Sequence, residues 1–129
     1  MEEALTARLL AATGLAALVG DRISWVERPQ GEALPALTLQ VISDPRPQHM
    51  QGFQDYRAAR VQVDVWAADY LSAKQTSEAV IDAVVPAAEV AGIKFGRSFV
   101  DDARDLSERT ETRTIHRKSI DFMIHHATA

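Results

Sequence analysis

Arg60-Val61-Gln62-Val63-Asp64-Val65-Trp66-Ala67 is the stretch that decides the fold. Successive side chains of an extended chain point to opposite faces. Val61, Val63, Val65 and Ala67 therefore share one side, and Arg60, Gln62, Asp64 and Trp66 share the other. Valine crowds a helix and packs well on a pleated surface, so the segment reads as a strand with one apolar face to bury. The same period of two recurs at Leu37, Leu39 and Val41, with Thr38 and Gln40 between them. It recurs at Ile93, Phe95 and Phe99 within 93–100, and at Ile120, Phe122 and Ile124 within 114–125. In the last of these, Arg117, Ser119, Asp121 and His125 face away. Ile23–Val26 is a shorter apolar strand candidate. Strands that alternate in this way belong to an antiparallel sheet with one face covered.

The cover has to come from two amphipathic segments. Residues 2–18 read as one helix, with Leu5, Leu9, Ala12 and Ala16 on a single stripe. Glu2 and Glu3 stand at its positive end, and Gly20 supplies the left-handed residue that closes it. Asp69 is placed to cap a second helix whose buried stripe is Ala73, Ser77, Val80, Ile81 and Val84; Pro86 stops it. Asp44-Pro45-Arg46-Pro47 ends the strand before it, because prolines remove ladder donors. Residues 44–57 then read as a long polar loop between two strands of a wide hairpin, carrying His49, Met50, Gly52, Phe53 and Tyr56. Asp101–Thr112 is highly charged and reads as a turn or a solvated extension. The expected order is α-β-β-β-α-β-β, an α+β two-layer fold with a mainly antiparallel β-sheet and two helices packed on one face. Residues 1–129 are expected to form one domain, since a chain of 129 residues supports one core and not two.

Composition removes several functional classes. The chain has 14 Lys and Arg against 18 Asp and Glu, a formal charge of −4, so a general nucleic-acid coat is not expected. With 0 Cys there is no disulfide, thiolate metal site or cysteine nucleophile. The longest apolar run, Leu9–Val19, is broken by Thr13 and Gly14 and is too short to span a bilayer. Glu2 and Glu3 stand where a secretory leader would be basic, so no leader and no membrane association are expected.

Constellations for catalysis are absent from the sequence. Asp101, Asp102 and Asp105, with Glu108 and Glu111 behind them, have the residue types of a metal or acid–base cluster. Arg97, Arg104, Arg109 and Arg113 are interleaved with them, which is the pattern of a solvated charged edge. His125 and His126 are adjacent and so point to opposite faces, and His116 is too far along the same strand to join either as a metal ligand. No G-x-S-x-G elbow, phosphate loop or dinucleotide fingerprint occurs among the 6 glycines. No catalytic residue, metal or cofactor is therefore expected. Trp66 lies on the outward face of the best strand, where either another part of the chain or another subunit has to cover it. Phe53 and Tyr56, on a loop with no evident core role, raise the same question.

Several stretches together resemble one known family. They are Leu18-Val19-Gly20-Asp21-Arg22-Ile23 after the first helix, Leu34-Pro35-Ala36-Leu37, the Arg60–Ala67 strand running straight into a helix, Asp101-Asp102 through Asp105-Leu106, and the closing Ser119-Ile120-Asp121-Phe122. In order and over nearly the whole chain, they resemble the tail-completion (tail-terminator) proteins of long-tailed bacteriophages and gene transfer agents. The 44–57 loop departs from that pattern. The resemblance implies a structural virion protein, present in the host cytoplasm during assembly and afterwards at the head-proximal end of the tail. It implies a ring, commonly of six copies, that stops tube polymerisation and offers a surface for head joining. The implied partners are further copies of the chain, the tail tube protein and a head-completion or connector protein, with DNA passing through the lumen unbound. Head-to-tail association closing into a ring would use the unpaired rim of the sheet, the 44–57 loop and the charged 101–113 segment. Arg46, Phe53, Tyr56 and Trp66 are the residues expected at the contacts. A head-side connector is the alternative within structural proteins. A small-ligand binding domain is the alternative outside them, and it would need a convergent polar pocket.

Overall fold

Ala12 is extended, with φ −74° and ψ 108°, and divides the N-terminal segment into α1 (Glu2–Ala11) and α2 (Thr13–Val19). The expected single helix over 2–18 is thus two helices, and the described residues form three helices where two were expected. Thr13 and Gly14, both poor helix formers, follow the break. The break changes the phase of the buried stripe: α1 buries Leu5 and Leu9, whereas α2 buries Leu15 and Val19. Gly20 closes α2 at φ +59°, a conformation that costs a glycine little.

The computed structural model describes residues 1–27, 33–45, 48–49, 52–53, 57–109 and 114–128. After the helices come β1 (Ile23–Trp25), β2 (Ala36–Ser43), the two-residue strands β3 (Gln48–His49) and β4 (Gly52–Phe53), and β5 (Arg57–Ala67). Then follow α3 (Tyr70–Val84), β6 (Ala88–Val90), β7 (Ile93–Phe95), β8 (Phe99–Arg109) and β9 (Thr114–Thr128). The main sheet runs β1-β2-β5-β9-β7-β6, with β8 also paired to β9. Among the described residues β1–β2 is parallel and the other pairs of this sheet are antiparallel.

Four details differ from expectation. The 93–100 strand stops at Phe95, and a new strand starts at Phe99 and runs through the charged segment to Arg109. That segment is therefore neither a turn nor loose: it is paired along β9 from Met123 to Thr114. The 44–57 segment contains the small β3–β4 pair, and Arg57 already belongs to β5. Ile23–Trp25 pairs with β2 in parallel, a geometry that alternation alone does not announce.

The valine strand behaves as its pattern demands. Val61, Val63 and Val65 are fully buried and pair with Phe122, Ile120 and Lys118 of β9. On the other side, Val61, Val63 and Val65 pair with Val41, Leu39 and Leu37 of β2. α3 lies over this apolar face, packed on β5 and β9, and α1 and α2 pack on α3. One core results, holding Leu5, Leu9, Leu15, Val19, Val80, Val84 and Phe95 beside the strand residues. Asp69 caps α3 by accepting from the Ser72 backbone N–H at 2.7 Å. Arg8 is also buried. Its guanidinium donates to the Pro86 carbonyl and lies 5.3 Å from the Phe95 ring centroid, tying α1 to the end of α3. Burial lowers the Arg8 pKa from the ordinary arginine value.

Candidate functional site

The sheet has two faces, and only one carries helices. The other is lined by Thr38 of β2, by Arg60, Gln62, Asp64 and Trp66 of β5, by Arg117, Ser119, Asp121 and Met123 of β9, and by Asp102, Arg104 and Leu106 of β8. Cross-strand partners share a face, and Thr38, Asp64, Ser119 and Arg104 form one row across all four strands.

Three arginines and four aspartates of this region pair with one another. Asp121, only 6% exposed, accepts from Arg60 Nη2 at 3.2 Å and from Arg104 Nη1 at 3.3 Å. Arg60 also meets Asp101 at 2.5 Å, and Arg104 meets Asp102 at 2.5 Å and Ser119 Oγ at 3.3 Å. Asp101, Arg60, Asp121, Arg104 and Asp102 therefore form one chain of charges that stitches β5, β9 and β8 together. The hydrogen bond to Asp101 first, with Asp121 behind it, raises Arg60 above the ordinary arginine value; Asp102 and then Asp121 do the same for Arg104. Arg117 Nη2 bonds Asp64 at 2.8 Å, and Gln62 donates to the same carboxylate at 3.1 Å. Among the described residues, Arg60, Arg104 and Arg117 of this face each pair with a carboxylate, so its positive charge is matched locally.

Trp66 is on this open face, as the alternation expects, and is half-buried. Its indole N–H donates to Thr38 Oγ1 at 3.0 Å, and the Arg117 guanidinium lies 4.9 Å from the ring. Phe53 is in β4, opposite Gln48. Arg46 and Tyr56 lie outside the described residues. Of the four expected contact residues, the two described ones therefore lie in different sheets, Trp66 in the main sheet and Phe53 in the β3–β4 pair. The Arg60–Asp121–Arg104 chain is not legible in the sequence. Its only signal there is opposite charge at alternate positions, which many solvated strands share.

The remaining titratable groups do not converge. Among the described residues no group of three or more His, Asp or Glu is placed to hold a metal. His126 faces the helix side and is buried, with Nε2 3.4 Å from Asp44 Oδ1; Asp44 in turn meets Arg57 at 3.1 Å. Burial lowers the His126 pKa from 6.5, opposed by Asp44. His125, on the opposite face, has Nδ1 3.1 Å from the Arg97 carbonyl. No helix among the described residues is long and apolar enough to cross a membrane.

The margins of the sheet are the other notable surface. β8 is an edge strand whose residues from Phe99 to Ser107 are exposed on both faces. β1 is the margin at the far side, paired only to β2 among the described residues. A sheet with an unpaired strand at each side presents backbone donors and acceptors to any neighbour.

Comparison with known proteins bears on these surfaces. The family described as Tail completion protein gp17 matches residues 3–126. Among solved structures, a chain of the "Virion of native gene transfer agent (GTA) particle" has the same fold, with a TM-score of 0.73 and 21% identity. The match covers 98% of this chain and 94% of that one. No curated protein sequence matches significantly.

Proposed function

This chain belongs to the tail completion protein family, and from that premise we propose that it is a structural part of a phage-type tail, closing the head-proximal end of the tail tube as a ring of identical copies. The observation that carries the reading is the family match over residues 3–126. The fold likeness to a chain of a gene transfer agent virion supports it. So does the form of the sheet, which among the described residues offers an unpaired margin on either side, as head-to-tail closure requires.

The ring would end tube growth by covering the last tube layer and would present its other rim to a head-completion or connector protein. Each contact of about 800 Å² per partner, made twice, would take roughly 1,600 Å² of each copy. The surface of the chain is 7340 Å², so this is affordable without opening the core. Trp66, with Arg46, Phe53 and Tyr56, is assigned to these contacts, together with the sheet margins and the 44–57 segment. The paired charges of the open face suit a channel through which DNA slides without being held. The role calls for no catalytic residue and no cofactor.

Electron microscopy of the purified protein, and of tail tubes grown with and without it, tests the proposal. Rings with a central hole, and tubes capped at one end and limited in length, are the expected result. Protein that stays monomeric at every concentration, on tubes that lengthen regardless of its presence, overturns it. A tight, salt-sensitive complex of the ring with duplex DNA would contradict the sliding channel.

A further inference from the structure

The ladder between β2 and β5 stops at Ser43 and Arg60, after a shift of register between Val41 and Ser43. β5 begins earlier, at Arg57. Arg57, Ala58 and Ala59 therefore pair with His126, His125 and Ile124 of β9, and with nothing on the β2 side among the described residues. The chain leaves the sheet at Asp44 and re-enters it at Arg57, and between the two it makes the β3–β4 pair. The described rungs of that pair are Gln48 with Phe53 and His49 with Gly52. An isolated two-stranded hairpin is at best marginally stable in water, so a fixed pose has to be imposed from its base.

Where the ladder ends, one carboxylate takes over. Asp44 meets Arg57 through Oδ2 at 3.1 Å and stands 3.4 Å from His126 Nε2 through Oδ1. It thus joins the exit of the segment to its re-entry, and both to β9. The anchor is firm: His126 is 3% exposed, and its register partners are Arg57 in β5 and the buried Phe95 in β7. The side chains of Asp44 and Arg57 are themselves 18% and 22% exposed, dry enough for their pair to be worth more than a surface ion pair. Burial holds the His126 pKa down, so the imidazole meets Asp44 as a neutral ring and adds no second positive charge beside Arg57.

We propose that Asp44 is a positioning residue for assembly: by clasping Arg57 and His126 it closes the base of the 44–57 segment and holds the β3–β4 hairpin in one pose for a neighbouring copy of this chain. The inference rests on the ring reading, in which this segment is a contact element, and names what presents it. Setting the pose beforehand removes an ordering cost that every contact of the ring would otherwise bear.

Asp44→Ala, Arg57→Ala and the double variant test it, with Asp69→Ala as the control. Asp69→Ala lowers stability at the start of α3, beyond the opposite end of β5. Circular dichroism with urea unfolding checks that each variant is folded. Chymotryptic cleavage after Phe53 in native buffer reads how often the hairpin leaves its pose. Light scattering follows ring formation, and electron microscopy scores capping of tail tubes if the wild-type chain assembles only there. Asp44→Ala is expected to be cut at least about tenfold faster than wild type and to associate at least about tenfold more weakly, which corresponds to about 1.4 kcal/mol. Arg57→Ala is expected to act in the same direction. The double variant should exceed the stronger single change by little, because both remove one device. Asp69→Ala is expected to be cut and to assemble as wild type does.

Cutting of Asp44→Ala at the wild-type rate overturns the clasp, and so do effects that multiply in the double variant. Faster cutting with undiminished assembly overturns the role in docking, as does an equal loss of assembly in Asp69→Ala. In each of these cases the ring reading stands. A wild-type chain that forms no ring in solution or on tubes overturns the ring reading and this role with it.

Discussion

Replacing Trp66 by Phe removes one hydrogen bond and part of one ring while leaving the strand intact. The indole N–H donates at 3.0 Å to Thr38 Oγ1, and Thr38 is itself buried. Losing such a bond costs about 0.5–1.5 kcal/mol, the upper end applying when the abandoned partner stays out of water. Phenyl also attracts the Arg117 guanidinium, now 4.9 Å from the ring, less than indole does; that adds a few tenths to about 1 kcal/mol. The sum is about 1–2.5 kcal/mol. At about 3–4 °C per kcal/mol for a chain of this length, Tm should fall by roughly 3–10 °C. Calorimetry on Trp66→Phe, Thr38→Val and the double variant isolates the bond as a coupling of about 0.5–1.5 kcal/mol. A coupling indistinguishable from zero refutes the hydrogen-bond account. Assembly measured well below every Tm separates folding from contact. Trp66→Ala that leaves both ring formation and stability unchanged would remove Trp66 from either role.

Leu9→Ala empties a fully buried site under α1 and should cost about 2–5 kcal/mol, read from urea unfolding at unchanged m-value. Asp69→Ala abandons the Ser72 N–H at the start of α3 and should cost about 1 kcal/mol in the same assay. Burial depresses the His126 pKa, so the unfolded chain takes up the proton first as pH falls. This contribution to stability is fully present above pH 6.5, is lost as pH falls from there to the folded value, and is constant below it. Unfolding free energies measured between pH 7.5 and 5.5 should fall with acidification, with a shallower slope in His126→Gln; equal slopes would remove His126 as the cause.

What the sequence discloses depends on how many constraints each segment obeys. The β5 strand satisfies propensity, alternation and burial together, and its register with β2 and β9 follows. Asp69 is legible because a cap is a local event. β8 is not legible as a strand, because neither of its faces is buried and alternation has nothing to record. Its place is set by pairing with β9 and by the ion pairs of its own Asp101 and Arg104 with Arg60 and Asp121, which are distant in sequence. Ala12 gives no warning of the helix break, since alanine favours the helix it interrupts. Arg8 and His126 are polar residues buried by tertiary packing, which no window of a dozen residues contains. Of the expected site, the outward placement of Trp66 was readable from parity alone, whereas the charge chain needed three strands to be laid side by side.

A strand that buries neither face owes its order to a ladder and to partly exposed ion pairs worth at most about 1 kcal/mol each. β8 therefore belongs to the least protected tier of the molecule, free to fray while the valine core stays closed. Under the ring reading, a neighbouring copy that adds to this edge would stiffen the strand along its length. An open arc then always ends on a copy whose margin is still free to fray, whereas a closed circle leaves none. Partial arcs would be short-lived under this arrangement, and the population would divide between free chains and finished circles.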